Sequence, residues 1–171
     1  MSSGYLPLSA SVLSDPVYET LRDGMPEGLP FMFGLTSNNH PACCAAALAN
    51  LDIVENEDLV ENARRVGAYL LERLQKSFGD SPIVGEIRGV GMLAAMEIVR
   101  DRETREPFPN LADPAWIAHT AFDRGLIVRA LFQCIAFAPP LVATTADIDR
   151  MIGILEELWP EAERRGDGPR R

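Results

Sequence analysis

Residues Ile83–Val99, IVGEIRGVGMLAAMEIV, mark a change of period in the chain. Upstream, apolar residues recur at helical spacing; here Val, Ile and Gly dominate, and the run reads as two β-strands meeting at Gly89-Val90-Gly91. A polar loop, DRETREPFPNLADP, comes next. PAWIAHTAFDRG then reads as a helix ended by Gly125, LIVRA as a strand, and CIAFAPPL as a further strand ended by Pro139-Pro140. The last element, TTADIDRMIGILEELWPEAERRG, is an amphipathic helix. Thr144 or Thr145 can cap it, and Asp147 and Asp149 lie in its first turn, where the macrodipole favours them. From about residue 80 onward the pattern is a βαβ-type layer, with helices on a small sheet.

Working back from this stretch, residues 41–79 form a long helical segment ended by Gly79. Pro41 suits the first turn, where its missing N–H costs nothing, and Asn38 or Asn39 can cap. Leu48, Leu51, Ile53 and Val54 keep helical spacing, as do Leu59, Val66, Leu70 and Leu74; the intervening ENED marks a kink or a break. Before it lie a loop rich in Gly and Pro and a short helix, DPVYETLRDG. Tyr5–Leu13, YLPLSASVL, is an extended apolar run with no visible partner strand. Nothing basic precedes that run, and Pro7 and the serines interrupt it, so it does not read as a targeting segment.

The net charge of −9 argues against nucleic acid as the main partner, because phosphate binding rests on surplus Lys and Arg. No apolar run reaches the roughly 18 residues that a bilayer demands. Cys43, Cys44 and Cys134 show no Cys-x-x-Cys pattern, and with His40 and His119 they give no zinc spacing; reduced thiols in a cytoplasmic protein are the expectation. Lys76 is the only lysine, so an amine nucleophile would have to be Lys76 or the amino terminus.

Arg129 ends the apolar run Leu126-Ile127-Val128, where a guanidinium offers a planar fork of donors to a carboxylate. A solvated strand end or a structural ion pair is the plain alternative. Thr36 sits in the polar loop GLTSNNHP just before a helix, a setting whose free N–H groups and hydroxyl suit a phosphate, or simply form a helix-entry turn. His40, held extended by Pro41, reads as a capping or packing residue. His119 lies mid-helix without a carboxylate in register, which speaks against a general base. Lys76, near a helix end, complements the dipole and reads as a surface residue.

GLTSNNHPACCAAALANLDIVENEDLVENA, VGEIRGVGMLAAMEIVRDRETREPF, GLIVRA and IAFAPPLVATTADID fall in an order and spacing that resembles class III pyridoxal-phosphate-dependent aminotransferases, with the flavour of the omega-amino acid–pyruvate branch. The likeness runs from Ser3 to about Glu163. It implies an α/β chain of fold type I, here the C-terminal small domain plus the end of the large domain. It also implies pyridoxal 5'-phosphate as cofactor and a homodimer with active sites at its interface. By position, Thr36 matches the threonine that reaches the cofactor phosphate across the dimer, and Arg129 matches the arginine that grips the substrate carboxylate. Arg88 also fits the pattern, in an expected structural role. Ser37, Asn38-Asn39, Phe33 and Phe132-Gln133 depart from it.

The same likeness places the Schiff-base lysine just before Met1, so the expectation is a chain inactive alone. The expected organisation is 1–40 as the end of the large domain, 41–79 as a connecting helical segment, 80–165 as the small domain and 166–171 as a frayed tail. In the complete enzyme an amino group would move between an amine or amino acid and a keto acid. Two alternatives remain open: a non-catalytic paralogue acting as a dimerisation module for a complete aminotransferase, or one half of a split enzyme.

Overall fold

The computed structural model describes residues 1–27, 29, 34–108 and 112–166. The chain divides into two units, Met1–Glu57 and Asp58–Arg171. Phe33 and most of the expected frayed tail lie outside the described residues.

In the first unit, α1 (Asp15–Gly24) carries a proline in its first turn and buries no residue. The second helix, α2 (Pro41–Asn56), also opens on its proline and buries Ala47. Its N-cap is His40, without a side-chain capping bond, rather than either asparagine expected to cap. Those asparagines are used in the preceding turn: the Asn38 N–H donates to the Leu35 carbonyl at 2.9 Å, and Asn39 takes a φ of 56°. Tyr5–Leu13, expected as an extended run, joins no ladder among the described residues; it starts in a bend, with the Tyr5 N–H donating to the Ser2 carbonyl at 3.0 Å, and no neighbouring strand is there to take its N–H and C=O groups. The chain start is tied to α2 through Asn50, which donates to the Met1 carbonyl at 2.9 Å and accepts from the Ser3 hydroxyl at 2.6 Å.

In the second unit the elements are α3 (Leu59–Phe78), β1 (Val84–Val90), β2 (Leu93–Asp101), β3 (Glu106–Pro107), α4 (Ala112–Asp123), β4 (Arg129–Leu131), β5 (Cys134–Phe137) and α5 (Thr145–Gly166). The ENED signal marks a full break: Asp58 adopts the left-handed region at φ 49° between α2 and α3. The unit boundary thus falls within residues 41–79, because α3 packs on β1 and α5. The expected loop at 101–114 holds the two-residue strand β3, which pairs with β2.

The sheet runs β1-β2-β5-β4, and every pairing is antiparallel. Since β2 and β4 both run against β5, they are parallel to each other, and α4 connects them. The βαβ reading therefore survives in split form, with β5 inserted between the two parallel strands.

One face of the sheet is the core. Ala94, Met96, Ile98, Ile135 and Phe137 meet Val66, Leu70, Leu74 and Phe78 of α3 and Ile148, Ile152 and Leu155 of α5. The four α3 residues recur every fourth position, which is the stripe that a helix must bury against a sheet. A fully buried Leu or Phe contributes roughly 1.5–3 kcal/mol by leaving water. Phe78 and Trp159 meet with ring centroids 4.5 Å apart. The polar groups there are satisfied: Trp159 Nε1–H donates to Ser81 Oγ at 2.9 Å, and that hydroxyl donates to Glu163 at 2.7 Å.

Gly67 of α3 lies directly on the β1–β2 turn. A Cβ at this position would stand 2.1 Å from the Gly91 carbonyl oxygen, so the helix and hairpin approach backbone to backbone. At the start of α5, Thr144 caps rather than Thr145. The Thr144 N–H and hydroxyl both donate to Asp147, at 2.9 and 2.7 Å, and the Asp147 N–H donates back to the Thr144 hydroxyl at 3.3 Å.

Candidate functional site

Arg129 is placed by the way α4 ends. Gly125 takes φ 86°, its N–H bonds the Phe122 carbonyl at 2.9 Å, and the Leu126 N–H bonds the Ala121 carbonyl at 2.9 Å. This paired 6→1 and 5→2 closure stops the helix and turns the chain toward the sheet. It also explains why β4 is shorter than the expected strand: the Leu126 amide is already bonded to the helix end. From there Leu126, Val128 and Ala130 pack against the core, while Ile127, Arg129 and Leu131 alternate to the opposite face.

Ala115, Ala118, His119 and Phe122 of α4 face Ile127–Ala130 across a cleft of about 280 Å³ along the edge of the sheet, with Arg129 in its lining. Those four α4 residues fall at i, i+3, i+4 and i+7, a stripe visible in the sequence that would have placed His119 in the cleft. Arg129 is exposed, and among the described residues no carboxylate pairs with it. The cleft is mostly apolar and is bordered by the strand that carries the unpaired Arg129, a chemistry that suits an amphiphilic carboxylate. The β4–β5 turn beside it is closed by Phe132 and Gln133. Phe132 holds a φ of 52° that a two-residue hairpin asks of its first loop residue and that glycine adopts more easily.

Arg88 stands on β1, on the same face of the sheet as Arg129. Its Nη1–H donates to Glu86 at 3.0 Å and its Nη2–H meets the Cys134 sulfur at 3.5 Å. Arg105 donates to Glu86 at 2.9 Å and also bonds Glu97, and its hydrogen bond holds the Glu86 carboxyl below the usual carboxylate range.

Thr36 belongs to the first unit, where it is the second residue of the turn closed by Asn38 and Leu35. It is exposed, and its hydroxyl bonds none of the described residues. Thr36 and Arg129 therefore lie on different units. His40 is exposed at the start of α2. Lys76 is exposed in the last turn of α3 and is not among the residues lining the Arg129 cleft. The chain thus presents a hydroxyl suited to a phosphate and a guanidinium suited to a carboxylate, but the Arg129 cleft contains no amine. That donor set can hydrogen-bond an anionic group, and the cleft offers no amine to an aldehyde. The three cysteines are free. Among the described residues there is no metal-binding cluster, and no helix is long and apolar enough to cross a membrane.

Residues 1–158 match the family described as Aminotransferase class-III. An uncharacterised aminotransferase of Sinorhizobium fredii is 46% identical over 160 residues, which cover 92% of this chain and 34% of that protein. A diaminobutyrate–2-oxoglutarate transaminase of Halomonas elongata is 42% identical over 159 residues, covering 91% and 34%. Among solved structures, a transaminase from a study of directed evolution by ancestral reconstruction superposes with a TM-score of 0.91 at 43% identity, over 96% of this chain and 36% of that one. An amine transaminase from an uncultivated Pseudomonas species, in its pyridoxal-phosphate-bound form, gives 0.88 at 39% identity, over 94% and 36%. The chain therefore spans about a third of the length of the relatives it matches. Family, order of elements and superposition agree: the chain belongs to the class-III aminotransferases, mixed α/β proteins of the pyridoxal-phosphate-dependent fold type I.

Proposed function

We propose that this chain is the C-terminal part of a transaminase, comprising the end of the large domain and the small domain, in which Arg129 binds the substrate carboxylate. The observation that carries this reading is Arg129 itself, exposed on the edge strand that borders an apolar cleft and free of acidic partners among the described residues. An arginine that only braces the fold would be expected to have a carboxylate against it, as Arg105 has. Thr36, exposed in its turn, supplies a hydroxyl for the cofactor phosphate. Pyridoxal 5'-phosphate, when bound, supplies the electron sink that lets an amino group move between an amine or amino acid and a keto acid. What this chain's own residues contribute is anchoring. Arg129 fixes the carboxylate end of the substrate, and the alanines, Phe122 and Ile127 offer it an apolar wall.

Because Lys76 stands exposed on α3, away from the cleft lining, the chain alone is inactive in this reading. A second reading, association with a lysine-bearing aminotransferase subunit, is favoured by the exposure of Tyr5, Val12, Leu35 and Leu48 in the first unit. The free thiols suit a reducing, cytoplasmic setting. The test is an assay of the purified chain with pyridoxal 5'-phosphate, an amine donor and pyruvate. The expected outcome is no turnover above buffer; turnover abolished by Arg129→Ala would overturn the claim of inactivity.

A further inference from the structure

The sheet order β1-β2-β5-β4 leaves β4 paired on one side only, with β5, among the described residues. Leu131 and Cys134 face each other across the two-residue loop Phe132-Gln133, so they and Arg129–Ala136 are the bonded pairs of this antiparallel ladder. Ala130, between them, directs its N–H and C=O away from β5, toward the outside of the sheet. The cleft runs along this edge, since four consecutive residues, Ile127–Ala130, form one of its walls. The other wall is the α4 stripe, where Ala115 and Ala118 leave room beside Phe122. A strand edge walled by a helix is a seat for one added strand: backbone bonds hold it along the edge, and alternate side chains enter the groove.

The chain also carries a segment patterned for that seat. Leu8-Ser9-Ala10-Ser11-Val12 alternates strictly between apolar and hydroxyl residues, the period of a strand with one covered face. It lies outside every helix and ladder, and Ser9–Val12 are exposed, Val12 at 93%. Its five residues match the five from Ile127 to Leu131, and Pro7, which has no N–H to donate, ends the match. Leu8–Val12 carries no charge and Ile127–Leu131 carries only Arg129, so two chains of net charge −9 meet there without opposing carboxylates.

We propose that the groove between α4 and β4 is the docking site for residues 8–12 of a second copy of this chain, which add to β4 as a further strand. Leu8, Ala10 and Val12 of the incoming strand meet Ala115, Ala118 and Phe122, and its two serines stand on the opposite face. The contact joins two different surfaces, so it closes as a dimer when it is reciprocal. It goes beyond the carboxylate role proposed for Arg129 and does not rest on it. The two uses of the cleft exclude each other, because the added strand covers the apolar wall.

The test is sedimentation velocity on the full chain over a range of concentrations, with amide hydrogen exchange read at Ala130. The expected result is a mass above that of one chain as concentration rises, with slower exchange at Ala130 in step. Ala10→Asp combined with Val12→Asp changes two exposed positions, where folding is not at stake. It is expected to weaken the association at least about tenfold, the worth of one lost valine burial. A synthetic peptide of residues 5–13, YLPLSASVL, is expected to return the chain to single-copy mass while itself protecting Ala130, in the double variant as well. A single-copy mass at every concentration would overturn the proposal; if the peptide still protected Ala130, the groove would take its strand from a different partner. Association undiminished in the double variant would also overturn it, moving the contact to another surface such as Leu48 and Leu51 of α2. So would exchange at Ala130 that is indifferent to both concentration and peptide.

Discussion

Between Met1 and Glu57, Tyr5, Val12, Leu35 and Leu48 stand in solvent and Ala47 is the one buried hydrophobic residue among those described, whereas from Asp58 onward α3, α4 and α5 press a continuous apolar layer onto one face of a sheet. Both units have helices with sound start signals, so local propensity is not what separates them. The difference lies in where the apolar stripes go. In α3 the stripe Val66, Leu70, Leu74 and Phe78 ends within its own unit; in α2 Leu48, Leu51 and Ile53 remain exposed. Helix signals set the elements, and burial supplies the cooperativity.

That contrast can be broken most severely at Gly67. Gly67→Val places a branched side chain where even a Cβ would meet the Gly91 carbonyl at 2.1 Å. The expected result is loss of the cooperative unfolding transition of the second unit, because overpacking against backbone has no rotamer to relieve it. Circular dichroism with urea would check it; a retained transition would mean the hairpin can move away from α3.

Next in size, Leu74→Ala should lower the stability of the second unit by about 3 kcal/mol, within the range for deleting a fully buried leucine. Leu48→Ala in α2, where the side chain is 63% exposed, should leave the transition unmoved. A comparable loss from Leu48→Ala would show that the two units unfold as one and would dissolve the contrast.

The smallest effect is expected at the start of α5. Thr144→Ala removes the cap, at a cost of about 1 kcal/mol. Hydrogen bonds from the Thr144 backbone N–H and then its hydroxyl hold the Asp147 carboxyl below its ordinary value. A carboxyl depressed in the folded state stabilises above its unfolded pKa, and that contribution fades as pH falls through the lower folded value. Urea titrations at neutral and acidic pH should therefore show the gap between Thr144→Ala and the unaltered chain narrowing toward acid. A gap independent of pH would mean that the cap acts through the hydroxyl alone.

Much of this was legible in the residues. The hairpin at Ile83–Val99 announced itself through Val, Ile and Gly, ENED marked a kink or a break, and the cap of α5 was narrowed to Thr144 or Thr145. Arg129 and Thr36 were singled out by the family likeness, since their local settings alone also suited a strand end and a helix-entry turn. What stayed hidden depends on tertiary partners. β3 is two residues long and exists because β2 lies beside it. The cap of α2 was misassigned because Asn38 and Asn39 serve the preceding turn. The alignment of Arg88 with Arg129 is a property of register across four strands, which no single strand reveals.

The contact between Gly67 and Gly91 bears on how such a protein can diversify. Side chains adapt to a neighbour by changing rotamer, but two backbones in contact leave no such freedom, so the hairpin is riveted to α3 at one point. β1 is mounted on that rivet and cannot slide along α3, so change in this unit has to come from exchanging the side chains that stand on the sheet.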